Sequence, residues 1–476
     1  ARRSSGSDMI DPPYVNPQHR VPPKRWAYRC AVLLAGLLTL ALVAALVWVV
    51  FVYVMLLRYK MMPTAGTSPL ILLGLQWWPL DPPRGVCPGS ASAYRLDEAW
   101  VGSSGGSDER SFFDPDSWNF WHGTADPTGG PTQYVDHATA LANGMLEEGE
   151  GWAVMRAGRP VRPETSDLVP ASFQAVEGPQ MRQSVRITSK RSWRHFLLEV
   201  KYTHLPYGCG LWPAVWLWCA DVESGPDGLP ARCPAWPAGG ELDVLEYANQ
   251  FYTKSSLHLG ADEVCTLDAE VVAGCGNFVD KNSMQYHCET EYFPPDADAD
   301  GVPDRAASYG CASNDFGAWP TVREQLNPEP GAVVVEWTDE AIKIWHFPEA
   351  DIPSDLAADD PKPAGWDARR LWSYYPLGGS SCPGKASLGA QNLVLNMAFC
   401  GQWAGANWKE EHDDGAQPTL HEEMAGMLFG ESCASEHGMR GHRLPEDACT
   451  AHVLDEAASA HLERTAFFNL THIKIF

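Results

Sequence analysis

VVVEWT at residues 333–338 and AIKIWHF at 341–347 decide the fold: both are short, rich in β-branched and aromatic side chains, and patterned with a period of two. Working outward, SVRIT (184–188), HFLLEVKY (195–202), ELDVLEYA (241–248), LVLNMAF (393–399) and HIKIF (472–476) read the same way, while helical periodicity is scarce. Many short strands between turns predict an all-β sandwich or barrel whose last strand reaches the final residue. The 42 Gly and 38 Pro of the 476-residue chain supply those turns, and 20 Trp supply flat apolar rings that suit sugar faces. No internal repeat is visible.

The N-terminal quarter is different. Residues 1–29 are polar, Pro-rich and basic (Arg2, Arg3, Arg20, Lys24, Arg25, Arg29), which predicts a disordered tail. Residues 30–57, CAVLLAGLLTLALVAALVWVVFVYVMLL, carry no charge over 28 positions, longer than the roughly 20 needed to span a bilayer. The expectation is one transmembrane helix. Six basic residues precede it and Arg58 and Lys60 follow, so the positive-inside rule places the tail in the cytoplasm, giving a single-pass type II membrane protein with its large domain lumenal or extracellular. Residues 58–109, ending in a Gly/Ser-rich run, are expected to form a stalk, and 110–476 the β domain.

The formal net charge of −25 excludes a nucleic-acid role and disfavours polyanionic substrates. Twelve of the 13 cysteines lie between Cys87 and Cys449 without a zinc-like Cys-x-x-Cys pair, which predicts disulfides in an oxidising compartment. Cys219 and Cys233 bracket a Pro/Gly-rich insertion that a disulfide would tie off.

The densest chemistry lies in WPAGGELDVLEYAN, residues 236–249. Alternation along a strand puts Glu241 and Asp243 on one face, whereas Glu246, five residues on, shares that face only if a β-bulge intervenes. A retaining glycosidase needs two carboxyls, one to attack the anomeric carbon and one to protonate the leaving oxygen. Asp243 between them would hold negative potential near the pair and help raise the pKa of the acid. Three acids in a strand often mark only a solvated face. The apolar Leu242, Val244 and Leu245, the Gly239-Gly240 pair and the adjacent Trp236 argue against that here.

ExDxxE after a Gly pair resembles the signature of glycoside hydrolase family 16 in its bulged form. The likeness extends through SFFDPDSWNFWHGTADPTGGPTQYVD (111–136), SVRITSKRSW (184–193), HLPYGCGLWPAVW (204–216), SSLHLG (255–260), IKIWHFP (342–348) and NLVLNMAFCGQWAG (392–405). These segments stand in the order of the fungal-type, laminarinase-like endo-1,3(4)-β-glucanases. The resemblance implies a concanavalin-like β-jelly-roll sandwich that binds a β-glucan in its cleft, acts as a monomer and needs no cofactor for catalysis. It implies Glu241 as nucleophile, Asp243 as its electrostatic helper and Glu246 as acid/base. Trp236 and Trp403 then resemble sugar-stacking aromatics and His258 the cleft histidine, with Trp216 and Asn249 as further substrate-binding candidates. Trp212 and Trp216 suit a core equally well. Gln402, Leu259 and Tyr247 depart from the family pattern, where Asp, Thr and Gly are usual.

Two rival readings stay open: a transglycosylase that remodels glucan through the same glycosyl-enzyme, and a non-catalytic glucan-recognition protein, against which both glutamates argue. One further pattern is DADADGVPD, where Asp296, Asp298, Asp300 and Asp304 occupy positions 1, 3, 5 and 9 of a calcium-loop pattern with Gly301 at 6. Position 12 is Ala307, so the expectation is at most a structural calcium ion of modest affinity, against a plain acidic solvated loop.

Overall fold

A computed structural model describes residues 93–103, 110–170, 179–219, 236–249, 253–260, 322–378, 388–408 and 433–476, with short pieces at 87, 89–91, 233, 265, 267, 288–290, 310–313 and 382. In chain order the strands are β1 (Glu98–Val101), β2 (Trp118–Phe120), β3 (Thr132–Tyr134), β4 (Leu146–Gly149), β5 (Trp152–Arg156), β6 (Pro160–Val161) and β7 (Met181–Ser184). Then come β8 (Arg186–Ser189), β9 (Leu197–His204), β10 (Leu211–Trp218), β11 (Glu241–Glu246), β12 (Lys254–Gly260), β13 (Glu289–Thr290) and β14 (Cys311–Ser313). The remainder are β15 (Gly331–Trp337), β16 (Ala341–Pro348), β17 (Leu371–Pro376), β18 (Asn392–Phe399) and β19 (Phe467–Ile475).

One sheet has the order β17-β16-β15-β9-β19-β5-β4, with β1 also on β19; the second has the order β13-β12-β11-β10-β18-β8-β2, with β14 also on β12. A third, small sheet has the order β3-β7-β6, and Ser184 Oγ of β7 donates to Met397 O of β18 at 2.5 Å. A single hydrophobic core takes Val200, Val333, Val335, Ile342 and Ile344 from the first large sheet and Val215, Leu217, Leu242, Leu257, Leu393 and Leu395 from the second. The two sheets are therefore the layers of a sandwich, each buried aliphatic side chain contributing about 1.5–3 kcal/mol of transfer free energy.

VVV at 333–335 is buried at every position, not at alternate ones, because the first sheet is covered on both faces. Val334, Trp345 and Phe347 belong to a second cluster with Leu356 and Trp366, so the outer face is covered as well. Disulfides Cys219–Cys233, Cys209–Cys433, Cys265–Cys382, Cys288–Cys311 and Cys400–Cys449 are formed, the first as the sequence predicts. Two of them fasten the C-terminal helices: Cys433 opens Cys433–His437 and Cys449 lies in Pro445–Leu454.

The stalk expected over 58–109 is too long at its C-terminal end. Glu98–Val101 pairs in register with His472–Ile475, and Ser90, Ala91 and Tyr94 bond to Glu336 of β15, so this stretch completes the first sheet. The transmembrane run 30–57 and the acidic loop with Asp296, Asp298, Asp300 and Asp304 lie outside the described residues. No helix among the described residues is long and apolar enough to cross a membrane.

Candidate active site

β11 carries the bulge that the spacing of its acids demands. Against β10, Asp243 faces Trp216 and Leu245 faces Val215, leaving Val244 as the extra residue; against β12, Asp243 faces Ser256 and Glu246 faces Lys254. Val244 and Leu245 both turn into the core. That two-residue step inward returns Glu246 to the outer face with Glu241 and Asp243. The two glutamates are partly open to solvent, whereas Asp243 is 4% exposed.

Each carboxylate has its own partner. Glu241 Oε2 accepts from Trp236 Nε1 at 3.0 Å and Glu246 Oε1 from Trp212 Nε1 at 2.7 Å. Asp243 Oδ2 accepts from Ser256 Oγ at 2.6 Å and lies 3.2 Å from His258 Nε2. Burial, and then the neighbouring Asp243, pushes Glu246 up to about 8, with Lys254 and the Trp212 N–H opposing. Glu241 is also raised, by burial and by the negative Asp243 and Glu246, against the pull of the Trp236 N–H and Arg186. The cluster as a whole therefore keeps a proton into the neutral range.

A carboxyl that titrates near 8 gives a testable pH profile. If protonated Glu246 is the working form of an acid catalyst, kcat/KM falls about tenfold per pH unit above pH 8. The folded state binds this proton more tightly than the unfolded chain, so the contribution to stability is present below the ordinary value of 4.5 and is lost as pH rises through about 8. Glu246→Gln cannot ionise, so above neutrality its melting temperature should exceed that of the parent. A variant that melts lower at every pH would contradict this.

The strands beside β11 extend the site. Register puts Trp216 and Trp218 of β10 beside Asp243 and Glu241, and Asn396 of β18 beside Arg186 of β8. Arg186, 5% exposed, lies over Trp121, Trp216 and Trp218 at 4.6, 4.9 and 5.5 Å. Trp216 Nε1 donates to Asn396 Oδ1 at 2.7 Å and Asn396 Nδ2 to the Tyr134 hydroxyl at 3.2 Å. Arg186 and Trp212 were not singled out as site residues from the sequence. The signal for Arg186 was available: a lone arginine inside the otherwise apolar strand VRI has to meet anions or aromatic faces.

Of the expected site residues, Trp236 is 42% exposed beside Glu241, and its ring lies 6.1 Å from His258. Trp403 sits in the turn Gly401–Gly405, edge-on to Trp212 at 5.4 Å and under Lys254 Nζ at 4.1 Å, so it reaches the Glu246 end of β11. Asn249 is the correction. It is 2% exposed; its Oδ1 accepts from Gly210 N at 2.8 Å, and its Nδ2 donates to Ala404 O at 2.9 Å and Asn407 O at 3.2 Å. With its amide engaged by backbone it braces the Trp403 turn and does not face the cleft. Tyr247 likewise points inward, its hydroxyl donating to Pro206 O at 2.6 Å. Glu241, Asp243 and His258 offer ligand atoms within 4.8 Å of one another, as do His437, His452 and His461 in the C-terminal helices.

Two stacked, mostly antiparallel sheets with paired glutamates on one bulged strand define a sandwich of the glycoside hydrolase type. Residues 118–427 match the XgeA-like, catalytic GH16 domain, and the chain belongs to that family of glycoside hydrolases. It is 28% identical over 285 residues to an endo-1,3(4)-beta-glucanase of Arthroderma benhamiae, covering 60% of this chain and 52% of that protein. It is 27% identical over 323 residues to a protein of Schizosaccharomyces pombe named as a probable glycosidase, covering 67% and 61%. The chain thus spans about half to three fifths of the length of these relatives. Among solved structures, an elongating GH family 16 beta-1,3-glucosyltransferase superposes with a TM-score of 0.52 at 19% identity, over 80% of this chain and 99% of that one. That likeness shows the fold.

Proposed function

We propose that the chain is a retaining endo-β-1,3(4)-glucanase in which Glu241 attacks the anomeric carbon while Glu246 protonates the departing oxygen. The observation that carries the reading is the bulge at Val244, which sets both glutamates on one face beside the exposed ring of Trp236. In the first step the Glu241 carboxylate forms a glycosyl ester as the glycosidic C–O bond breaks and the Glu246 proton passes to the leaving hydroxyl. In the second, Glu246, now a carboxylate, takes a proton from water as the water oxygen displaces Glu241, which restores both groups. Asp243, held by Ser256 and close to His258, keeps the local potential negative and so favours the oxocarbenium-like transition state.

Trp236 and Trp403 offer rings on either side of the carboxylates, and the acidic chain suits a neutral polysaccharide. The test is incubation with laminarin, mixed-linkage β-glucan and pustulan, with products resolved by mass. Short oligosaccharides from the first two support the reading. Products longer than the starting oligomers would assign transfer instead of hydrolysis, and no change in any glucan would remove the enzymatic reading.

The uncharged run 30–57 with its six preceding basic residues supports a single-pass type II anchor, and the disulfides among the described residues fit a lumenal or extracellular domain. Protease added to sealed microsomes should trim only the tail; digestion of the β domain with the tail protected would reverse the topology. For the acidic loop we propose a structural calcium ion held by Asp296, Asp298, Asp300 and Asp304. Calcium should raise the melting temperature, and Asp298→Ala with Asp300→Ala should abolish the rise. A melting curve indifferent to calcium and chelator would return the loop to a solvated acidic face.

A further inference from the structure

Behind the Trp403 turn, the C-terminal helices bring three histidines together that the glucanase chemistry does not use. His437 ends Cys433–His437, His452 lies in Pro445–Leu454, and His461 immediately precedes Leu462–Thr465. One ring nitrogen from each lies within 4.8 Å of the others. Ring centroids are 4.2 Å apart for His437 and His452, 5.5 Å for His437 and His461, and 5.4 Å for His452 and His461. His452 is fully buried, with neither Nδ1 nor Nε2 bonded to a protein partner, and His437 Nε2 is buried and unbonded as well. Three buried ring nitrogens without hydrogen-bond partners, one on His437 and two on His452, are costly unless something satisfies them together.

We infer that His437, His452 and His461 form a three-histidine site for a divalent metal ion of the zinc class. A four-coordinate ion with Zn–N bonds of about 2.0–2.1 Å requires its donor nitrogens roughly 3.3 Å apart, a contraction within reach of side-chain rotation from the spacing seen here. Burial lowers the proton affinity of all three rings, that of His452 to about 3, so at neutral pH they are neutral imidazoles, the form that binds metal. The backbone carbonyl of Ala458 interacts with the His461 ring, the kind of outer partner that fixes a ligating tautomer. Glu436 Oε1 lies 3.8 Å from His437 Nε2, an anionic oxygen close to the three rings. Arg440 and Arg182 add positive potential, the former paired with Asp455 at 2.6 Å. A hard, oxygen-seeking cation would gain too little from nitrogen donors to overcome that field. An imidazole-seeking ion would not be so limited.

The site would also fasten the cleft. Trp408 stacks on His437 and lies tilted against His452, Cys400–Cys449 joins the His452 helix to the end of β18, and Trp403 stands in the turn between Cys400 and Trp408. The metal is therefore structural, in a position to steady one sugar-facing ring.

The test uses the full-length chain without a histidine tag, stripped with a chelator and titrated with zinc. The expected result is one zinc per chain by elemental analysis and a melting temperature raised by zinc. Cobalt in its place should give the intense visible absorption of a four-coordinate site. His437→Ala and His461→Ala, both only partly buried, should each lose the bound zinc and the thermal response while melting like the stripped parent. If the parent binds no zinc, or if both variants keep full stoichiometry, the proposal fails. Should either variant not fold, the titration of the parent decides alone.

Discussion

Glu241→Gln should reduce hydrolysis of every β-glucan to background while binding persists, whereas Glu246→Ala should fail selectively. The two residues share a face and a field, yet the mechanism needs one as an anion and the other as an acid. Without Glu241 no glycosyl ester forms and no leaving group rescues the enzyme. Without Glu246, natural glucans lose the proton that expels the sugar hydroxyl, a loss of about 10²–10⁴-fold. An aryl glucoside with a good leaving group should still load Glu241 and then stall, because the same residue must activate water. Azide needs no general base, so it should release the trapped sugar as the β-glycosyl azide from Glu246→Ala alone. An α-azide from Glu241→Ala would mean that the two roles are exchanged. Ordinary activity in both variants would hand the site to the glucan-recognition reading.

The all-β class was legible because runs such as LVLNMAF and HIKIF suit a sheet, and they form β18 and the end of β19; the strand limits were less so, since β19 begins at Phe467 and β9 runs on to His204. The bulge was legible for a chemical reason: a spacing of five between two useful carboxylates is intelligible only if the strand gains a residue, and Val244 is that residue. What the sequence concealed depends on long-range pairing. Nothing local marks Glu98–Val101 as a strand, since its reason for being one is β19, more than 370 residues later in the chain. Asn249 lies three residues beyond Glu246 and reads as a cleft amide. Only the approach of Ala404 and Asn407 engages it. The burial of all of VVV required knowledge that a second cluster covers the outer face.

Glu336→Ala should destabilise the domain by about 3–5 kcal/mol, the usual cost of stranding one member of a buried ion pair. Glu336 and Lys343 are 0% and 1% exposed on the adjacent strands β15 and β16, with Lys343 Nζ 3.8 Å from Oε2. The carboxylate also accepts from Ser90 Oγ at 2.8 Å, Ala91 N at 3.0 Å and the Tyr94 hydroxyl at 2.8 Å, while Lys343 Nζ donates to Cys87 O at 2.8 Å and Ser90 Oγ at 2.7 Å. Ser90, Ala91 and Tyr94, in the segment taken from sequence as stalk, are therefore fastened to a buried charge pair. Burial already lowers the pKa of Lys343, and Glu336 opposes it, so deleting Glu336 should make the ammonium easier to discharge. The deficit of Glu336→Ala in denaturant midpoint should then shrink at alkaline pH, where Lys343 can become neutral. A pure cavity effect would leave it constant. In a double-mutant cycle, Lys343→Met should recover part of the loss, because no charge is then left without its partner. The pair lies on the sheet opposite the glutamates, so kcat/KM at a temperature where both proteins are folded should not change. A midpoint within experimental error of the parent would show that the N-terminal segment is held by something other than this pair.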